Sequence, residues 1–341
     1  MRIGEMRAQQ GEKAFGFLAG PETHGRLPVH VPLHLLCGRT TGPTLVVQAG
    51  VSGLEIEPAM VLPHLVDELD PAAIAGILIV VPLLNTSAFE FEQTNAAWDD
   101  KNLNALGCGN PRGTVSEQLI HAYFSQVIAP ADALIDIHTG ARWGYFRYAG
   151  VYDVGSPRKA VDLAVDLGLP QVLLGQPEDE SMAFRAAASG KAVVSAWIGG
   201  GPGLRDHREE DVRRTRAAVL NAMRHLGMLS GPMEHGDGPA TVIRAHTVLR
   251  PSGERGLTFM DKTKRGAWVK SGEKVGYVIH PFTGDTLQEI TAPRDGVMVH
   301  AGASWPIVPE GATLAIFGDP VDTPGSPWTA TGIAPREGVD G

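Results

Sequence analysis

The chain has 341 residues, 43% hydrophobic and 20% charged, which is the balance of a folded globular protein with room for two domains. Its formal net charge is −9, and no extended cluster of Lys or Arg breaks that acidity. This combination argues against nucleic acid and anionic membrane as partners and points to a small-molecule substrate.

Met1 to Arg7 carries acid early and lacks an apolar core segment, so it does not read as a signal peptide. The run Thr44–Gly50 (TLVVQAG) predicts a buried strand, and Glu57–Leu69 a helix with apolar residues at helical spacing. Gly76–Pro82 (GILIVVP) is a second strand, inside an apolar run, Ala72 to Leu84, that is too short to cross a bilayer. Thr114-Val-Ser-Glu117 matches a capping box and opens a helix through about Val127. Ala133–His138 (ALIDIH) is a third strand. Ser156-Pro157 starts a helix with Pro in the first turn, where its missing N–H costs nothing. Val193–Ile198 is a strand, and Glu209–Met228 a long helix. Strands alternating with helices predict an α/β sheet covered on both faces.

The pattern changes at about Gly238. Ser230–Pro239 reads as a linker, and Ala240 to Asp319 holds short β-type runs broken by Gly and Pro, which predicts a small β domain. The expected organisation is an α/β domain over 1–232, a β domain over 240–320 and a Pro/Gly-rich tail over 321–341. Cys37 and Cys108 lie far apart and form no CxxC pair, so neither a disulfide framework nor a thiolate zinc site is expected. A cytoplasmic protein is expected, and the sequence leaves room for a homo-oligomer.

In an open α/β sheet, ligands bind beyond the carboxyl ends of the strands. Three segments place polar residues there: Gly50-Val-Ser-Gly-Leu-Glu55, Asp136-Ile-His-Thr-Gly140 and Ala196-Trp-Ile-Gly-Gly-Gly201. A fourth, Asp99-Asp-Lys-Asn-Leu-Asn104, reads as a loop. Each has a plainer role as well. Glu55 can complement the dipole of the helix that follows, Ser52 can be a turn residue, and Asn102 and Asn104 can make Asx-type bonds. Asp99 can be a solvated loop acid, Trp197 can simply pack, and Cys108 can be an inert small hydrophobe.

Taken in order, these four segments resemble the succinylglutamate desuccinylase/aspartoacylase family. Its members carry a GxHGxE motif after the first strand, an N-L-N-R loop, a D-[LI]-H-[TS]-G strand end and a late T-E-L-G-G segment. Here they read GVSGLE, NLNA, DIHTG and SAWIGGG. The C-terminal region resembles the barrel-sandwich-like β domain that ends family members. The resemblance implies a zinc-carboxypeptidase-like α/β fold and hydrolysis of the amide bond of a small N-acyl amino acid. By the same resemblance zinc is held at Ser52, Glu55 and His138, with Asp136 behind the histidine. Asn102, Asn104, Asp99, Arg142 and Trp197 are then expected around the substrate.

Three positions depart from the family pattern. Ser52 stands where the family has a zinc-binding His, Ala105 where it has an Arg for the substrate carboxylate, and Trp197 where it has a catalytic Glu. A serine hydroxyl is a poor zinc ligand, and two protein ligands rarely hold zinc tightly. Three readings follow: a metal hydrolase that draws a ligand from elsewhere, such as His207; a non-catalytic relative that binds a small molecule or partner; or a metal-independent enzyme using Cys108 with His138.

Overall fold

The computed structural model describes residues 1–141, 144–176, 180–201, 208–234, 240–302 and 313–321. The predicted strand at Ala133–His138 is one of ten strands in the first part of the chain. These are Arg2–Ile3 (β1), Met6–Arg7 (β2), Glu12–Glu22 (β3), Pro28–Cys37 (β4), Thr40–Gln48 (β5), Ala75–Val81 (β6), Ala133–His138 (β7), Phe146–Val151 (β8), Gln171–Leu174 (β9) and Ala192–Gly199 (β10). Between them lie helices Glu57–Glu68 (α1), Thr86–Glu90 (α2), Val115–Tyr123 (α3), Pro157–Asp166 (α4) and Met182–Ala188 (α5), with Glu209–His225 (α6) after β10. The second part adds Thr241–Leu249 (β11), Leu257–Met260 (β12), Trp268–Val269 (β13), Lys274–Ile279 (β14), Thr286–Thr291 (β15), Gly296–Ala301 (β16) and Ala315–Pro320 (β17).

One mixed sheet runs β13-β16-β17-β11-β9-β8-β10-β7-β5-β6-β4-β3, and β12-β14-β15 form a separate three-stranded sheet. Its centre is parallel: β6 with β5, β5 with β7, and β7 with β10. The change of composition near residue 240 is not a break in this sheet, because β11 pairs in parallel with β9 and antiparallel with β17.

Strand alternation sorts the core onto two faces. On β5, Leu45 and Val47 pack with Leu62, Leu65, Val219 and Met223 of α1 and α6. Val46 points the other way, into a cluster with Leu119, Ile120 and Tyr123 of α3. Both faces are therefore closed by helices, and the central strands are apolar until their last residues. Those last residues are Gln48, Asp136 and His138, all buried.

Two helix ends differ from the sequence expectation for local reasons. The helical path of α3 continues past Tyr123 as a wider π-type turn over Phe124–Ile128, so the expected end near Val127 falls within it. α6 stops three residues early because Gly227 takes a left-handed φ of 70°, a common helix terminator. The hairpin β3–β4 and strands β8 and β9 were not expected from periodicity. In β3, β4 and β8 the apolar residues are interrupted by His, Gly, Pro and Arg, which hides the strand period, and β9 is only four residues long.

Candidate functional site

β7 ends on Asp136-Ile-His138, two residues apart, so both polar side chains leave the same face of the strand. His138 is held from both sides. Its Nε2 donates to Asp136 Oδ2 at 2.9 Å, and its Nδ1 donates to Glu55 Oε2 at 3.1 Å. The Thr139 amide adds a longer bond to the same Glu55 oxygen, 3.4 Å. Burial alone would depress the imidazole, but the carboxylates of Asp136 and Glu55 outweigh it and hold the His138 pKa well above the usual histidine value.

Behind Asp136 the network continues into the core. Gln48 Nε2 donates to Asp136 Oδ1 at 2.9 Å, and Tyr123 Oη donates to Gln48 Oε1 at 2.7 Å. Each oxygen of a fully buried carboxylate thus has a hydrogen-bond partner, which is what a charge in a low-dielectric interior requires. Burial, then the nearby Asp136 charge, pushes the Tyr123 phenol well above its ordinary value and keeps it a donor. Gln48 and Tyr123 were missed from sequence. A lone Gln inside TLVVQAG was the available signal for the first; Tyr123, one aromatic on an amphipathic helix, gave none.

Glu57 was also missed. It is buried at the start of α1, accepts the Gly200 amide at 3.3 Å, and burial raises its pKa. It ties α1 to the end of β10. Gly200 is required there: its φ is 85°, and a Cβ would lie 2.5 Å from the Gly140 nitrogen.

Trp197 is the cross-strand neighbour of His138 on β7 and of Tyr148 on β8. The three side chains form one row on the α3 face. Trp197 stacks on His138 with centroids 4.7 Å apart and 21° between planes, and on Tyr148 at 6.0 Å and 16°. The indole nitrogen is buried without a hydrogen-bond partner among the described residues. Trp197 therefore forms an aromatic wall against the histidine.

The other expected residues separate into different places. Ser52 is half-buried in the turn before α1, where its Oγ accepts the Leu54 amide at 3.3 Å. Asn102 caps a short 3₁₀ turn through the Asn104 amide, 3.0 Å, and the Asn104 side-chain oxygen is buried without a partner among the described residues. Asp99 accepts from the Ser116 amide at 2.9 Å and from the Ser116 hydroxyl at 2.6 Å. Although burial opposes it, these bonds lower the Asp99 pKa. Its carboxylate anchors the N-terminus of α3. Cys108 is exposed, and burial of its sulfur outweighs Arg185 and raises its pKa, which leaves less thiolate. Among the described residues no hydrogen bond joins Cys108 to His138. Arg142 and His207 lie outside the described residues.

The donor set does not fit a tightly held zinc. Glu55 and His138 are two good donors, but the third position offers the Ser52 hydroxyl. Asp136 is committed to the far side of the imidazole. Among the described residues, no group of three His, Cys, Asp or Glu side chains is arranged to hold a metal ion.

Residues 41–226 match the family model of the succinylglutamate desuccinylase/aspartoacylase catalytic domain. The chain is 28% identical over 298 residues to the N-alpha-acetyl-L-2,4-diaminobutyric acid deacetylase of Halomonas elongata, covering 84% of this chain and 85% of that protein. Its structure is similar to that of a succinylglutamate desuccinylase/aspartoacylase from Rhodobacter sphaeroides, with a TM-score of 0.81 and 22% identity over 95% of this chain and 100% of the other. It is also similar to the product-bound ectoine utilization protein EutE (DoeB) from Ruegeria pomeroyi, with a TM-score of 0.77, 23% identity, and coverage of 90% and 95%. These two structural likenesses concern the fold. The matched segment spans β5 through α6 and includes every residue of the His138 network, so the chain belongs to the succinylglutamate desuccinylase/aspartoacylase family, hydrolases of acyl C–N amide bonds.

Proposed function

We propose that the chain hydrolyses the acyl C–N bond of a small N-acyl amino compound in the cleft over His138, with a specificity different from that of its relatives. The observation that carries this reading is the clamp on His138 between Asp136 and Glu55 at the carboxyl end of β7. The side chain of Glu55 is 12% exposed, so it reaches the edge of the cleft while His138 stays inside. Glu55 can take the proton of an attacking water and pass it on to the departing amine, while the imidazolium paired with it supplies positive charge beside the developing oxyanion. Ala105, in place of the family arginine, leaves the substrate carboxylate without that clamp, which supports changed specificity. Cys108 has no part in this reading.

Zinc is the family's general cofactor, and no step here is routed through it, because Ser52 leaves the donor set short. Zinc content of the purified chain, measured after expression with zinc present, decides that point. About one equivalent would show that a third donor joins Glu55 and His138; a content far below one would leave the two carboxylates and His138 to work alone.

A second reading, binding without turnover, is favoured by one observation: Trp197, which the resemblance matches to the family's catalytic Glu, stacks on His138. The two readings part on product formation. Free amine should be released from N-alpha-acetyl-L-2,4-diaminobutyric acid or another member of a panel of N-acetyl and N-succinyl amino acids. Saturable binding of panel members without amine release would favour the second reading and sink the first.

A further inference from the structure

We infer that the cavity between the main sheet and the Lys262–Gly266 turn is a binding site for a small organic anion, with Lys262 and Arg265 holding its carboxylate or phosphate head. The cavity has a volume of about 370 Å³ and lies where β8, β9 and β11 begin, under the turn that follows β12. It is separated from His138 by the Trp197 ring, which packs against both Phe146 and Tyr148 in the cavity wall. The inference does not depend on the hydrolase reading.

Three cationic side chains line this space: Arg147, Lys262 and Arg265. Among the described residues no carboxylate lines it. Lys262 and Arg265 are half-buried, and among the described residues neither forms an ion pair. The Lys262 ammonium has no hydrogen-bond partner there, and Arg265 donates only its Nε, to the Lys262 carbonyl at 3.3 Å. The Arg265 guanidinium also lies over the Phe146 ring, 5.8 Å from its centroid. Burial lowers the pKa of both groups, with Arg265 adding to the effect on Lys262, and Arg147 to that on Arg265. Lys262 and Arg265 are two like charges in a partly desolvated space, an unfavourable arrangement without a counter-charge, and an anion relieves that cost.

The rest of the wall says what kind of anion. The volume exceeds what a bare inorganic ion needs and falls at the small end of organic-ligand pockets, roughly 300–1,000 Å³. Phe146 and Tyr148 offer an apolar aromatic side for the ligand body, and Gln171 a polar one. A guanidinium beside an ammonium suits either a carboxylate or a phosphate head.

Isothermal titration of the full chain at low salt, with succinate in one arm and inorganic phosphate in the other, tests this. Saturable binding of at least one is expected, and the preferred arm identifies the head. Lys262→Gln and Arg265→Gln should each weaken it by about tenfold, while Lys262→Arg keeps it within a few-fold. Lys159→Gln, which removes an exposed charge on α4, should leave it unchanged. Thermal melts of each variant confirm the fold, and Lys262→Arg supplies a folded, charge-retaining comparison. Absence of saturable heat in both arms, or equal binding by the Lys262→Gln/Arg265→Gln double variant, would overturn the assignment.

Discussion

A histidine with a carboxylate on each ring nitrogen is oriented, and its proton is held, by two groups of different burial. Asp136 is fully buried and acts by positioning the ring; Glu55 reaches toward the cleft. Asp136→Asn keeps the shape and the contact with Gln48 but removes the charge that fixes the imidazole. Turnover should fall by at least ~100-fold while the fold is retained, as expected for loss of an orienting acid, which a comparison of kcat and melting curves would check. A drop in kcat of less than about twofold would remove Asp136 from the account. His300, on β16, behaves oppositely. It stacks on Phe146 at 4.4 Å and faces the Tyr148 hydroxyl at 3.4 Å, and burial with the Arg265 charge pushes its pKa down to about 3. A histidine with a depressed folded pKa binds fewer protons folded than unfolded. Its contribution is therefore whole above the unfolded value near 6.5 and is lost as pH falls toward 3. Stability against urea, measured from pH 7 to pH 4, should decline less steeply in His300→Gln than in the parent chain. Parallel curves would show that His300 does not titrate this way.

At the scale of elements, the site depends on how helices are fastened to strand ends. Asp99 closes the N-terminus of α3 through two bonds to Ser116, and Glu117 accepts the Thr114 amide at 2.7 Å, as in the capping box that the sequence anticipated. Asp99→Ala should cost about 1–2 kcal/mol in chemical denaturation, the usual value of a lost cap, with KM for any turned-over substrate unchanged. A large KM increase with no loss of stability would return Asp99 to the substrate side. Gly53, in the turn before α1, packs against α2 so closely that a Cβ would sit 2.1 Å from the Ala88 carbonyl oxygen. Gly53→Ala must displace that contact and with it the Ser52–Glu55 turn. We expect a lower melting temperature and a fall in kcat, both greater than for a substitution at exposed Lys159.

Across the whole molecule, legibility followed burial on both faces. β5, β6, β7 and β10 are apolar runs closed by a polar end, and α1, α3 and α6 carry helical spacing, so all seven were readable with errors only at their ends. β8 and β9 were not, since they sit beside the aromatic row and the seam with the second part, where Arg, Tyr and Gln replace aliphatic residues. Glu55, Asp136 and His138 could be placed from motif order alone because each closes or follows a buried strand. The helix contact of Asp99 was not legible, because a loop acid that faces a ligand and one that caps a helix look alike until the helix is seen. Gln48 and Tyr123 needed the fold, being 75 positions apart in sequence and joined only by packing. The seam also has a consequence for stability. With β11 paired to β9, the two parts share one sheet, and calorimetry should record a single cooperative transition; two separated transitions would mean that the parts melt independently.

The most direct test of the central claim is release of free amine from N-acetyl and N-succinyl amino acids, N-alpha-acetyl-L-2,4-diaminobutyric acid among them, by the parent chain, His138→Ala, Glu55→Gln and Cys108→Ala. Turnover of at least one compound is expected, with losses of at least ~100-fold in His138→Ala and Glu55→Gln and none beyond about twofold in Cys108→Ala. No amine from any compound, or turnover that survives His138→Ala, would contradict it.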